Sequence, residues 1–559
     1  MGRRLDAGGP ALTAAPVEAV RPVETVEVKV GLRGPLPAWV FGILPATFLA
    51  VFFAWPVASI VGRGFSARGL TLLQRGELWR VVAFTAEQAL LSTVLTLVVA
   101  LPGAYVLNRY TIPGRRVLLA LVTVPFVLPT VVVGLAFRAL LPASWIGSLG
   151  AILVAHVFFN YAVVVRVVGG LWGQLDPRYE QAARTLGGSP WRAFRTVTWP
   201  LLRPAVAAAS ALVFLFTFTS FGVILVLGGP GTTTLEVEIY RRTAQLLDLS
   251  GAAVLAVLQL VVLALVLLVS ARLQAGAAVA QRLRAPSAES LVRPTRPGQR
   301  ALLWGVLGTV VILLATPLAA LVLRSFRVRD GWGLAWWRAL GSIDAGTTRY
   351  AAPLDSVRVS LQYAVVTAVF SVIIGGLAAC AVAYAGRGGR VLDAAAMLPL
   401  GTSAVTVGFG LLITFAHPPL DLRGSWIMVP LAHTLVAVPL VLRTVLPVLR
   451  SIDPRLRQVA ATLGARPVRA WRTVDVPLLT RSLAVGAGFA FAVSLGEFGA
   501  TAFLARSDTP TLPVQIVRLL SRPGEIPYGA AMALATILMA VTASAVLAAE
   551  ALQGPGWRR

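Results

Sequence analysis

Glu497 lies inside an apolar run, in Ser494-Leu-Gly-Glu-Phe-Gly-Ala-Thr501. An ionisable group at membrane depth is costly, so it marks either a functional position or a carboxylate paired with an arginine or with backbone amides. An internal repeat puts Ser220 at the matching place in the first half of the chain. Phe214, Phe218 and Phe221 follow i, i+4, i+7, and Phe491 and Phe498 repeat the outer two. Such stripes serve helix packing. With a hydroxyl and one carboxylate they would also suit a path for an aromatic cation, through ring stacking, cation–π attraction and charge pairing. Glu497, Ser220, Phe214, Phe218, Phe221, Phe491 and Phe498 are therefore the candidate path residues. His156 and His433 also occupy equivalent places. With no cysteine or acid at ligand spacing, they are expected to pack and hydrogen-bond symmetrically rather than hold a metal. Glu87, nearer a span end, is expected to snorkel outward. Lys29 is the only lysine and Cys380 the only cysteine. No P-loop lysine, lysine base, intrachain disulfide or thiolate cluster exists. The absence of clustered His, Asp and Glu, or of a nucleophile beside a base, argues against a membrane-embedded enzyme.

The elements that position these residues are membrane spans. The chain has 559 residues, 57% hydrophobic and only 13% charged, a composition that a soluble domain does not tolerate. Apolar runs fall near 36–62, 81–108, 116–141, 147–171, 201–228 and 251–272, then near 301–325, 358–386, 391–416, 425–448, 478–505 and 528–550. At about 20 residues per crossing this predicts an all-α membrane protein of about 12 helices, six and six. Residues 1–34 carry no apolar signal segment and read as a solvated tail. The first transmembrane unit covers 35–272, a polar Arg/Pro linker 273–300, the second unit 301–551 and a short tail 552–559. The net charge is +26, and arginine favours the tail side of the alternating loops by roughly two to one, so both termini and the linker are expected in the cytoplasm. The 326–357 loop on the opposite side also holds arginines, with Asp330, Asp344 and Asp355 as expected partners.

The two halves are one design used twice. The segment Asp176 to Pro200 matches Asp453 to Pro477 at 15 of 25 positions, with a constant offset of 277. The same offset relates Arg166 to Arg443, and a slightly smaller one relates Pro125 and Gly134 to Pro399 and Gly408. Each copy has the same membrane polarity, so the repeat is parallel and predicts a pseudo-two-fold axis along the membrane normal. The repeated segment is too polar to span. Asp176 and Pro177 suit a helix start, Gly187 and Gly188 stop that helix as a hinge, Ser189 and Pro190 restart one, and Pro200 ends it at the membrane. One such segment commonly serves as an interfacial anchor. Reproducing its small-residue patch and glycine break in both halves favours docking of two copies of one partner.

This segment resembles the E-A-A loop of ABC importer permeases: Glu-Ala-Ala, three residues, Gly, then Pro before the next span. It appears as Gln181-Ala182-Ala183, Gly187, Pro200 and as Gln458-Val459-Ala460, Gly464, Pro477. The motif glutamate is replaced by glutamine in both copies. Glu180 neighbours the first, whereas Arg457 stands at its counterpart. Twelve spans with two such loops resemble the fused permeases of the iron(III)/thiamine branch. The resemblance implies two copies of an ABC ATPase docked on the loops, ATP and Mg bound by that partner with no cofactor in this chain, and ATP-driven alternation between outward- and inward-open states. It also implies a multi-pass protein of the bacterial inner membrane that takes a small-molecule substrate from an extracytoplasmic binding protein, and no nucleic acid. The segments Phe221 to Pro230, Thr232 to Tyr240 and Thr511 to Val514 resemble thiamine permeases, and the resemblance implies outer loops that present Glu236, Glu238, Asp248, Asp508 and Glu525 to the binding protein. An iron(III) importer of the same family is the alternative cargo. An ion-coupled secondary transporter would show several midplane carboxylates and no paired loops.

Overall fold

The computed structural model describes residues 37–275, 291–329, 331–343, 352–416, 420–422 and 424–553. The 1–34 tail, most of the 273–300 linker, Asp330, Asp344 and most of the 552–559 tail lie outside the described residues. Among the described residues, ten helices are long and apolar enough to cross a membrane: Ala38–Gly64, Gly76–Arg109, Leu149–Gln174, Pro190–Phe218, Leu249–Arg272, Pro297–Phe326, Asp355–Tyr384, Met428–Ser451, Pro467–Gly496 and Glu525–Ala549. Two bent helix pairs cover the third and ninth apolar runs, Val117–Val127 with Thr130–Leu140 and Gly388–Gly401 with Ala404–Thr414, for up to twelve spans if each pair crosses as one. Each of the twelve apolar runs thus has its helix or helix pair, in a fused two-unit all-α architecture.

Three expectations require correction, each for a local reason. First, the third and ninth runs are not straight; they turn by 103° and 100°. In the third, Pro129 forces Leu128 out of the helical region, to ψ 142. In the ninth, the Ser403 hydroxyl accepts from the Val405 and Thr406 amides and starts a new helix. Second, the fifth and eleventh spans stop at Phe218 and Gly496, and short helices Gly222–Leu227 and Thr501–Leu504 follow. Phe221 and Phe498 therefore sit in the breaks rather than on the helical stripe. Third, Pro200 and Pro477 do not end the surface helices, which run on into the spans. A π-helical turn before each, Phe194–Thr198 and Trp471–Asp475, accommodates the missing amide and the ring.

The first span of each half packs against the other half. Phe41, Phe48 and Leu49 of span 1 share a core with Ala378, Leu411 and Val441. In return, Val306, Val310 and Leu314 of span 7 share one with Ala104, Val133 and Phe158. Between them a central core draws on both halves, including Val131, Phe218 and Phe221 with Val405, Phe498 and Leu538. Close backbone approach makes this possible, because lipid supplies no hydrophobic drive between helices. A methyl at Gly222 would collide with the Thr130 hydroxyl and the Val131 nitrogen, and one at Gly499 would lie 2.9 Å from the Ala404 Cβ. These are the same contact in the two halves.

Candidate transport path and coupling loops

The two chain breaks meet at the centre of the molecule. Phe221 from the first half and Phe498 from the second stack with ring centroids 5.0 Å apart and planes 11° apart. Tyr240 packs on Phe221 at 5.4 Å and meets Phe503 edge-on at 5.6 Å. Phe214 and Phe218 stack at 5.5 Å, and Phe491 lies half-buried against the same central core. The stack joins the halves.

Beside it, each half holds a buried histidine. His156 Nδ1 lies 2.9 Å from Ser92 Oγ and its Nε2 2.9 Å from Ser220 Oγ. His433 Nδ1 lies 2.7 Å from Ser494 Oγ, and its Nε2 2.7 Å from Thr501 Oγ1 and 3.2 Å from Glu497 Oε2. Ser220 and Glu497, matched by the repeat, thus address matched histidines. Glu497 accepts from the Ala500 amide at 2.9 Å, the Thr501 amide at 3.1 Å and the Thr501 hydroxyl at 2.7 Å. It caps the short helix that leaves the break. An ionised carboxylate only accepts, so the Nε2–H tautomer of His433, with Nδ1 accepting from Ser494, fits the network. Backbone amides, the Thr501 hydroxyl and a histidine are its partners. Ser92, Ser494, Thr501 and Tyr240 were not singled out by sequence. The repeat pairs Ser494 with Thr217, which bonds backbone carbonyls instead, so the offset does not reveal the histidine partner.

The repeated loops fold alike. Pro177–Thr185 and Pro454–Thr462 are short helices capped by the Asp176 and Asp453 side chains, which accept from the Arg178 and Arg455 amides. Gly187 and Gly464 have φ of +84° and +79°. The Gly188 amide reaches Ala183 O at 3.1 Å and the Gly187 amide reaches Arg184 O at 3.1 Å; Ala465 to Ala460 and Gly464 to Ala461 repeat the pair. This is a left-handed helix cap with both characteristic bonds, so the glycines terminate the helix in a fixed geometry rather than act as a slack hinge. Gln181, Ala182, Gln458 and Val459 are exposed, and Ala183 and Ala460 half-buried. Leu186 and Leu463 project at the caps, 89% and 83% exposed. Each loop therefore offers a small-residue patch with one protruding leucine.

The loops differ on their inner side. Arg457 forks onto Asp475, which is fully buried at the start of span 11. The Asp475 carboxylate holds the Arg457 guanidinium above its ordinary value. In the first half the matching residues are Glu180 and Thr198, and Glu180 is half-buried toward the membrane side. Glu180 is thus turned away from the exposed patch that carries Gln181. On the far side of the molecule Glu236 and Glu238 are buried, which removes them from any outer docking surface. Glu236 is held by Gln259, and Glu238 by Arg241 and Arg242 at 2.8 and 2.9 Å. Asp248 pairs with Arg242, and Asp508 with Arg506. Asp508 and Glu525 remain exposed.

Residues 92–279 match the family model for the binding-protein-dependent transport system inner membrane component. The fold and the paired loops agree with this match, which supports a permease of the ABC importers. Over most of its length the chain is similar to permeases described as thiamine transporters. It is 29% identical over 511 residues to the thiamine transport system permease protein of Escherichia coli (strain K12), covering 86% of this chain and 91% of that one. It is 27% identical over 545 residues to the protein of the same description from Brucella abortus (strain 2308), covering 91% and 94%. A probable ABC transporter permease protein of Sinorhizobium fredii is 25% identical over 511 residues, covering 86% and 88%. The chain is a multi-pass transport subunit of the inner membrane.

Proposed function

We propose that this chain is the membrane path of an ATP-driven importer for thiamine or a thiamine phosphate. The observation that carries the mechanism is the pairing of two like-built loops at one end with a single aromatic stack between the halves. Two ABC ATPase copies dock through Gln181, Ala182, Ala183 and Gly187 and through Gln458, Val459, Ala460 and Gly464. ATP-driven approach of those partners moves the surface helices. Past each glycine cap, the second surface helix of the loop, from Pro190 or Pro467, runs on into span 5 or 11 through Pro200 or Pro477. Those spans end at the breaks that hold Phe221 and Phe498, so the movement parts the stack. ATP favours one packing of the halves and its hydrolysis releases that packing. The loops and both termini face the cytoplasm, and the sequence units 35–272 and 301–551 act as the two halves.

The aromatic lining supports an aromatic cation as cargo, since Phe214, Phe218, Phe221, Phe491 and Phe498 offer ring faces and Glu497 and Ser220 flank them. The thiamine descriptions of the relatives support the same cargo. An extracytoplasmic binding protein delivers it to the opposite face, where Asp508 and Glu525 are exposed. Radiolabelled uptake in a strain lacking the gene, with thiamine, thiamine phosphates and ferric iron measured in parallel, tests the assignment. Loss of thiamine uptake alone is expected. Loss of iron uptake with thiamine uptake intact would overturn the cargo and leave the importer class standing.

A further inference from the structure

The geometry points to a binding groove for a lipid ammonium headgroup, of the phosphatidylethanolamine type, beside the first coupling loop and absent from the second. A groove of about 540 Å³ opens where spans 2, 4 and 5 reach the loop end of the membrane. Its lining gathers Tyr105, Trp172, Trp191, Phe194 and Trp199 around Glu180, the only charged residue in it. Trp191 stacks on Phe194 at 5.6 Å, Phe194 on Trp172 at 6.1 Å, and Trp172 meets Tyr105 at 5.1 Å. Glu180 has no cationic partner among the described residues. A carboxylate ringed by aromatic faces selects a cation that can donate hydrogen bonds and lie against π density.

Aromatic residues at a membrane boundary commonly form a belt at both interfaces. The repeat supplies an internal control against that simpler reading. At the offset of 277, Trp172, Trp191 and Trp199 become Leu449, Val468 and Val476, and Glu180 becomes Arg457, already paired with Asp475. Phe41 of span 1 fills the matching space, 6.1 Å from Trp471 and 5.9 Å from Tyr384. In the first half, Leu302 of span 7 lines the groove. Phe194 keeps an aromatic counterpart in Trp471, but the three tryptophans and the free carboxylate belong to the first loop only. The apolar floor, which includes Leu202 and Val206 of span 5, suits an acyl chain. Exposed Arg195 and Arg203 on the same helix suit the lipid phosphate. A headgroup seated there would touch the coupling helix itself, making one of the two ATPase contacts lipid-sensitive.

Native mass spectrometry of the purified chain tests this, titrated with phosphatidylethanolamine, phosphatidylcholine and phosphatidylglycerol of identical acyl chains. Phosphatidylethanolamine is expected to bind best. Glu180→Gln should weaken it about tenfold and Trp191→Val, which installs the second-half residue, about threefold, with phosphatidylglycerol unchanged. Glu180 is half-buried on the helix Pro177–Thr185 and Trp191 exposed on the helix that starts at Pro190, so both variants should fold, and Trp471→Ala in the second half should leave the lipid signal intact. Equal binding of the three lipids by the native chain, or undiminished phosphatidylethanolamine binding in both variants, would overturn the proposal. Displacement of the lipid by millimolar thiamine would overturn the lipid source and make the groove a soluble-cation site.

Discussion

Replacing Gly187 and Gly464 by valine should uncouple the permease from its ATPase through backbone conformation alone. Neither glycine has any atom within 4 Å of where a Cβ would stand, so the substitution causes no clash. The penalty comes from φ values of +84° and +79°, at which an L-residue costs about 1–2 kcal/mol and a β-branched one more. Relief would require giving up the two bonds that close each cap. The two loops are separate sites, so their costs add, to about 2–4 kcal/mol. That corresponds to a factor of about 30 to about 1000 in the combined equilibrium constant for forming both caps. Asparagine tolerates the left-handed region and should be much milder. The assay is retention of the ATPase during purification, together with ATP-dependent uptake in proteoliposomes, for valine and asparagine at one and both positions. Wild-type retention and uptake in the double valine variant would refute the reasoning. So would an asparagine variant as damaged as the valine one, since that would show that chemistry rather than φ is being read.

Glu497→Gln should lower the melting temperature in detergent, corresponding to about 1–3 kcal/mol, because the single amide oxygen can serve either the Ala500 amide or the Thr501–His433 group, leaving the other facing a donor. Ser220→Ala should cost less than about 1 kcal/mol on the same measurement. Unchanged stability with reduced transport would instead assign Glu497 to the path alone. Asp475→Ala should destabilise by about 3 kcal/mol by leaving Arg457 uncompensated, whereas the pair Arg457→Glu with Asp475→Thr, which installs the first-half residues, should recover most of the loss on thermal unfolding. Phe221→Ala or Phe498→Ala should raise solute leak without ATP, measured by efflux from loaded vesicles, because the stack then closes from one side only.

The span count and the two-fold design were legible because lipid demands long apolar helices and the repeat keeps a constant offset. The breaks were harder to see. Hydropathy treats 116–141 and 201–228 as continuous because Pro129 and Phe221 sit among apolar neighbours, and only the local backbone preference at Leu128-Pro129 or the cap at Ser403 signals a turn. The coupling glycines were visible as positions, but their role as left-handed caps depends on φ, which composition does not carry. The charge exchange between Glu180 and Arg457 was visible too. Its meaning lay in Asp475, eighteen residues on, which reads in sequence as one more polar residue of the loop. Glu236 and Glu238 were misplaced because acidic residues between spans are ordinarily exposed; here Gln259 and two arginines hold them inside.

Cysteine pairing across the central stack tests the account most directly. With Cys380 replaced by serine, Phe221→Cys and Phe498→Cys can be joined by a short bifunctional thiol reagent, because the native rings lie 5.0 Å apart, centroid to centroid. The account predicts rapid cross-linking at rest, slower cross-linking when the ATPase subunits are loaded with ATP, and transport that stops on linking and returns on cleavage of the linker. Cross-linking at the same rate with and without ATP, or transport that continues through a linked pair, would contradict it.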